Sequence, residues 1–470
     1  MELRKPGKKK KLETKTGPYV AWAEQTLDKI GTDIKCAGKR WFMYIEDEGY
    51  YMEVDKDRFA PIARDVQEQP KPNITEAILR DIQHISQCLV DDFRSAICWE
   101  DGQEKAVLVN ARNCVIRVDL ETGERKQLEH HLKYRFLSRL EANYVEGATC
   151  SWFIKTLEEC LPEKADRDVV LAFGSYIFCP DCRLEQALIC IGEGACGKST
   201  IAYHGFGNVL GKTAMSNLSL SEICNSTHVH QIMGRSLNIG TELKAVELLE
   251  SDNFKRGVSG ESITGNPKFI PQFSFVPTTK FCFLTNTSPR FKDGSSAESR
   301  RCAFVFFPNQ FTENKDNLRK KLIEQERDGI LLLMLDGLPA VMTIQELPKG
   351  SEDSRAVQEE FATRNDFVAA FVNKHCDRGD TTVFELRSSI HLRVQRFADE
   401  VGYTINDVHF ARAFRQKFPR EGRWTSRHGR KRDDKGIQKY YYVGIKLKSE
   451  FSFTHGKNGQ TDKEILDNVL

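Results

Sequence analysis

Ile78, Ile82, Ile85 and Leu89 follow one another at spacings of four, three and four, which places them on one face of a helix. Asn73, with Glu76 three residues on, supplies an N-cap pairing just ahead of that run, so a packed amphipathic helix is expected. Elsewhere the apolar positions come in short blocks. Val107-Leu108-Val109 and Cys114 to Val118, closed by Glu121-Thr122-Gly123-Glu124, read as two strands and a turn. Ala187-Leu188-Ile189-Cys190-Ile191 is an uninterrupted apolar run of strand length with polar flanks, the mark of a buried strand.

From 151 to 345 helical and strand patterns alternate, as an α/β core requires. Pro348-Lys349-Gly350-Ser351-Glu352-Asp353-Ser354 then breaks the pattern with turn-forming and polar residues. Beyond it come a helix carrying Phe410, Arg412, Phe414, Arg415 and Phe418, a Gly- and Arg-rich loop, and a strand over Tyr440 to Leu447. Helix, basic loop and closing strand predict a winged-helix arrangement, with the helix in a groove and the loop on phosphates. The expected division is a basic tail at 1–16, a mixed α/β unit at 17–150 and the α/β core at 151–345. A linker at 346–362, the winged-helix-like unit at 363–450 and a tail at 451–470 complete it.

The strand at Ala187–Ile191 runs directly into Gly192-Glu193-Gly194-Ala195-Cys196-Gly197-Lys198-Ser199-Thr200, which meets G-x-x-x-x-G-K-[ST] at every specified position. Glycines let successive backbone N–H groups turn toward phosphate oxygens. Lys198 reaches the β and γ phosphates, and the Ser199 hydroxyl is a ligand for magnesium. ATP with Mg2+ is therefore the expected cofactor pair.

Charge adds a second theme. Between Arg412 and Lys439 eleven Lys or Arg stand against Glu421, Asp433 and Asp434, an excess of eight on a chain of net charge +2, so the remainder is acidic by six. A basic island on an acidic protein is an electrostatic footprint for a polyanion, and Arg427, Arg430, Lys431 and Arg432 are its candidate DNA contacts. Arg4, Lys5 and Lys8 to Lys11 lie in a polar N-terminal stretch that reads as a solvated tail. No apolar run approaches the ~18 residues that span a bilayer, and no signal-peptide centre is found, so a soluble protein of the host-cell cytoplasm is expected, without a membrane partner. Fourteen scattered cysteines then read as reduced, mostly buried thiols. Cys179-Pro180-Asp181-Cys182 has no second pair nearby to complete a four-ligand zinc site and reads as a loop. Neither an acidic two-metal cluster nor a zinc-ribbon set marks a primase in the first 150 residues.

Past the glycine-rich loop come Leu237-Asn238-Ile239-Gly240-Thr241-Glu242, Phe254-Lys255-Arg256-Gly257, Gly260 to Gly265, Lys280 to Asn286 and Arg300 to Phe307. In this order and spacing the sequence resembles superfamily 3 helicases of the AAA+ class, in particular the helicase part of phage, plasmid and large-DNA-virus primase-helicases, over roughly residues 40 to 310. The resemblance implies a P-loop AAA+ ATPase core between the N-terminal mixed α/β unit and the winged-helix-like unit. It also implies that Lys198 and Ser199 bind phosphate and magnesium, Glu242 polarises the attacking water, and Asn286 senses the γ-phosphate. Arg300 or Arg301 would reach into a neighbouring subunit's site. Lys268 and Lys280 fall in or beside the segment similar to the family's DNA-contacting hairpin. Thr241 stands where many NTPases carry a second acid, which leaves magnesium to Ser199, to Glu242 through water, and to the nucleotide.

The expected function is an ATP-dependent DNA helicase for replication of a phage, virus or mobile element. It would act as a ring, a homo-hexamer, on single-stranded and forked DNA, with a separate primase or polymerase as a further partner. The alternatives are an ATP-dependent initiator or loader without processive unwinding, and an origin-binding protein.

Overall fold

A computed structural model describes residues 19–241, 248–249, 252–268, 272–291, 296–379, 383–400, 405, 407–418, 430–432 and 438–449. The chain divides into two compact units, 1–243 with 252–287 and 303–351, and 244–251 with 288–302 and 352–470.

The first unit opens with helix α1 (Val20–Ile30) and an antiparallel three-stranded sheet of β1 (Ile34–Ala37), β2 (Arg40–Ile45) and β3 (Tyr50–Val54). Helix α2 (Pro72–Ile85) packs on it through Ile78 and Ile82, both fully buried. The helix starts a residue before Asn73, because Pro72 presets the backbone of the first turn, and no side chain caps it. It also stops at Ile85, so Ile85 and Leu89 are exposed at 47% and 71%, and the expected apolar face covers only its first two positions. A second antiparallel sheet follows, β4 (Ile97–Glu100), β5 (Gln103–Asn110), β6 (Val115–Asp119) and β7 (Arg125–Leu128). The turn between β6 and β7 is held by Asp119, whose Oδ1 accepts from the backbone N–H groups of Glu121 and Thr122.

Helices α3 (Ser151–Cys160) and α4 (Lys164–Tyr176) lead into β8 (Ala187–Ile191), the apolar run read from the sequence. Its five residues are all buried, as a central strand of a parallel sheet requires. Further strands are β9 (Met215–Ser216), β10 (Leu237–Thr241), a hairpin of β11 (Ile263–Gly265) and β12 (Phe273–Phe275), then β13 (Lys280–Thr285) and β14 (Cys302–Phe306). The main sheet has the order β14-β8-β13-β10-β9, and the pairs β8/β13, β13/β10 and β10/β9 are parallel. The fold of this unit is thus mixed α/β around a parallel five-stranded sheet. One apolar cluster runs from Val107 and Ile116 across position 150 to Phe153, Leu188, Ile239 and Leu335.

In the second unit helix α5 (Glu352–Asn365) already occupies much of the segment expected as linker. After it come α6 (Phe367–His375), β15 (Cys376–Arg378), β16 (Phe384–Leu386), α7 (Arg387–Glu400), α8 (Asp407–Lys417), β17 (Arg430–Arg432), β18 (Gln438–Val443) and β19 (Ile445–Leu447). Strands β16, β18 and β17 form one antiparallel sheet, and β15 pairs with β19. The single strand expected over Tyr440–Leu447 is two, because Gly444 turns the chain at φ +78°. Phe410, Phe414 and Phe418 are buried, whereas Arg412 and Arg415 are exposed.

Candidate active site

The glycine-rich loop links the C-terminal end of β8 to a helical segment that begins at Lys198. That segment is a π-helix over Thr200–Gly207 before it becomes α-helical, a widened turn that is rare and recurs at functional sites. The sequence demands glycine at two places for steric reasons. Gly192 passes so close to the Phe307 carbonyl that a Cβ would lie 2.6 Å from its oxygen. Gly197 has φ +95°, and a Cβ there would lie 2.2 Å from Cys160 Sγ. The loop is gripped from outside by two backbone bonds, Phe307 N–H to the Ile191 carbonyl (2.8 Å) and Phe311 N–H to the Ala195 carbonyl (2.9 Å).

Lys198 sits across this loop. Its Nζ donates to the carbonyls of Gly192 (2.6 Å) and Glu193 (2.8 Å) and lies 3.2 Å from Cys196 Sγ. A fourth contact, 3.3 Å, reaches Asn286 Oδ1, the residue just past the end of β13. Thr285 forms the turn there, its hydroxyl donating to the Thr287 carbonyl (2.6 Å) and accepting from the Thr287 N–H (3.0 Å). Lys198 is 8% exposed, while Glu193, Gly194, Ala195 and Ser199 are exposed and Thr200 is buried. A buried ammonium behind an open rim at a helix N-terminus is chemically an anion cradle.

Strand β10 ends beside this cradle's helix. Tyr203, five residues past Lys198, donates through Oη to the Ile239 carbonyl (3.0 Å), and burial raises its pKa. Asn238 is fully buried; its side chain accepts from Ser216 Oγ and the Leu218 N–H and donates to the Leu218 carbonyl, each at 2.9 Å. Neither residue was singled out from the sequence. Asn238 left a signal, a polar residue inside a buried apolar strand that must find partners; Tyr203 left none.

The remaining candidate residues separate. Glu242 and Arg427 lie outside the described residues. Lys268 is exposed on the segment joining β11 to β12. Lys280 is corrected: it is 2% exposed, its Nζ donates to the carbonyls of Cys179 and Thr278 at 2.7 Å each, and it lies 4.9 Å over the Tyr176 ring. A side chain so enclosed has no path to DNA. Arg300 ends the short helix Ser296–Arg300 and is exposed; Arg301 is 8% exposed; both belong to the second unit. Arg430, Lys431 and Arg432 form β17, opposite Tyr440, Lys439 and Gln438.

None of the fourteen cysteines is in a disulfide, and all except Cys88 and Cys224 are buried. Burial pushes the Cys179 thiol up to about 12, and Cys182 Sγ faces the carbonyls of Gly257, Pro277 and Thr279. Among the described residues no group of three or more His, Cys, Asp or Glu forms a metal site, and no helix is long and apolar enough to cross a membrane. A separate cavity of about 400 Å³ is lined by Arg125, Tyr144, Glu146, Cys150 and Asp336, among others, and includes no residue of the glycine-rich loop.

A mixed α/β protein with a glycine-rich loop at the end of a central parallel strand is the class that fold and site define. A family of unknown function (DUF5906) matches residues 190–301, which hold the loop, β10, the hairpin and β13. No curated protein matches the sequence. Among solved structures, the apo C-terminal region of NrS-1 (305–718) is similar at TM-score 0.51 and 12% identity, covering 91% of this chain and 100% of that one. An A-form apo structure of the same region gives TM-score 0.50 and 10% identity, covering 90% of this chain and 98% of the other. At such identity the likeness is one of fold.

Proposed function

We propose that the chain is an ATP-dependent replicative DNA helicase of a phage, virus or mobile element, working as a ring on single-stranded DNA. The observation that carries the reading is the Lys198 ammonium, which joins Gly192, Glu193 and Asn286 at the ends of two adjacent parallel strands. These are the positions at which a triphosphate needs a cation, a cradle of backbone groups and a polar sensor. In this reading Gly192 to Thr200 are a P-loop and the five-stranded sheet is an AAA+ core.

The donor set suits Mg2+. The exposed Ser199 would hold the ion through its hydroxyl and Glu242 through water, with the nucleotide's phosphates supplying further oxygen ligands. When bound, Mg2+ would supply charge neutralisation at the β and γ phosphate oxygens. Lys198 holds the same oxygens from the loop side, and Glu242, next after Thr241 at the end of β10, orients the attacking water. Tyr203 fixes the height of that strand end against the helix. Arg300 or Arg301 completes a neighbouring subunit's site, so turnover requires the ring.

DNA contacts are assigned to Lys268 on the hairpin and to the second unit. The order α6-β15-β16-α7-α8-β17-β18-β19 supports a winged helix, in which α8 turns Phe410 and Phe414 inward and Arg412 and Arg415 outward, with Phe418 buried just past its end. The hairpin β17–β18 is the wing, carrying Arg430, Lys431 and Arg432. Strand displacement on a forked substrate tests the proposal. Lys198→Ala is expected to abolish displacement with circular dichroism unchanged; an active Lys198→Ala protein sinks it. ATP turnover stimulated by DNA without displacement by the parent protein would favour a loader instead.

A further inference from the structure

The first unit carries a contact that the ATPase chemistry does not use. Arg40 begins β2 of the N-terminal sheet, and its guanidinium is held in three ways. Nε and Nη2 make a fork with the carboxylate of Glu53 on β3, at 2.8 and 2.6 Å. Nη1 lies 2.7 Å from Met233 Sδ. Its Cζ also lies over two rings, 5.2 Å from the centre of Phe42 and 4.5 Å from that of Phe273.

Phe273 belongs to β12, one arm of the hairpin whose connecting segment exposes Lys268. Its register partner on the other arm is Gly265. That glycine is pressed on His230, since a Cβ at 265 would lie 2.7 Å from His230 Cβ, and Asn266 N–H donates to the Ser226 carbonyl at 2.9 Å. The root of the hairpin is therefore clamped on both arms, one by the 226–233 segment and the other by an arginine of the N-terminal sheet. The Arg40 side chain is only 12% exposed and already carries a full carboxylate fork. Both facts leave it unsuited to a phosphate and suited to holding a neighbour in place.

We propose that Arg40 is a positioning residue through which the N-terminal sheet sets the stance of the β11–β12 hairpin on single-stranded DNA. The inference rests on the reading of Lys268 as a DNA contact. Arg40 touches no nucleotide in this account, so its loss changes DNA affinity and the stimulation of turnover by DNA while basal turnover stays.

The test uses the full chain, a fluorescent oligo-dT strand and three variants. Arg40→Met keeps the alkyl stem and removes the fork and the cation–π contact. It is expected to bind oligo-dT about tenfold more weakly, to lose stimulation by DNA, and to keep both basal turnover and the slope of log affinity against log salt. Phe273→Leu is expected to weaken binding similarly, and the double variant no further, because both remove one contact. Lys268→Ala is the control for the underlying reading and should lower the salt slope by about one. If Lys268→Ala lowers the slope while Arg40→Met and Phe273→Leu bind like the parent, the positioning role is overturned and the reading stands. A slope lowered by Arg40→Met itself would make Arg40 a direct phosphate contact, which also overturns it. If Lys268→Ala leaves affinity and slope unchanged, the hairpin reading fails and takes this inference with it. Should Arg40→Met not fold, Phe273→Leu decides alone.

Discussion

Gly197→Ala probes the glycine-rich loop where its geometry is most demanding. Two costs follow from the structure. The backbone at φ +95° lies on the side of conformational space that an L-residue resists, at about 1–2 kcal/mol. The new methyl would meet Cys160 Sγ at 2.2 Å and Cys160 Cβ at 3.3 Å, and Cys160 is fully buried at the end of α3, so the overlap adds about 1–3 kcal/mol of overpacking. Together about 2–5 kcal/mol is expected, a drop of about 3–7 °C in the melting temperature of a unit this size. Loss of binding to a fluorescent ATP analogue should accompany it. Adding Cys160→Ala relieves the overlap and leaves the backbone strain, so the double variant should recover roughly half the loss and show a coupling of about 1–2 kcal/mol in a double-mutant cycle. A Gly197→Ala protein that melts with the parent and binds the analogue equally well would refute this account of the loop. A cycle without coupling would remove Cys160 from it.

Lys280→Met leaves the carbonyls of Cys179 and Thr278 without their donor and should cost about 1–3 kcal/mol in urea unfolding; the salt slope of DNA binding should stay fixed, and a fall of about one would return Lys280 to the DNA contacts. His375 is fully buried, and burial together with the nearby Arg393 and Lys374 lowers its pKa from 6.5 to about 4. The unfolded chain takes up that proton first, so stability is full above pH 6.5 and is lost progressively as pH falls toward about 4. Protection from hydrogen exchange over residues 367–397, corrected for the intrinsic rate at each pH, should fall between pH 7 and pH 5, and His375→Gln should remove that dependence. Replacing Arg430, Lys431 and Arg432 with serine should weaken DNA binding and flatten its salt dependence by about two to three; an unchanged slope would dismiss the wing.

How much was legible in the sequence depended on how local the signal was. The strand Ala187–Ile191 coincides with the apolar run because a central parallel strand, buried on both faces, has no other way to be written. The demand for glycine at 192 and 197 was legible as a motif, although the atoms that enforce it, the Phe307 carbonyl and Cys160 Sγ, come from distant positions. Asn286 could be paired with Lys198 only through resemblance, since 88 residues separate them and the parallel pairing of β8 and β13 brings them together. Lys280 was misread because a lysine beside a hairpin is usually solvated, and nothing local announces that Tyr176 and two carbonyls enclose it. Ile85 at the last turn and Leu89 beyond it keep the helical rhythm where the helix no longer packs, so spacing alone overstates the buried face. Arg40 shows the limit most plainly, for its partners Glu53, Met233 and Phe273 lie on three separate elements.

The central claim is a DNA-stimulated ATP motor that works as a ring. The most direct measurement is ATP turnover by the full chain with and without single-stranded DNA, on the parent and on Glu242→Gln, with molar mass in the presence of nucleotide from light scattering. The account predicts turnover that rises with DNA, vanishes in Glu242→Gln, and accompanies a mass of about six chains. No turnover and a monomeric mass under every condition would contradict it, and would leave the second unit as a DNA-binding module in its own right.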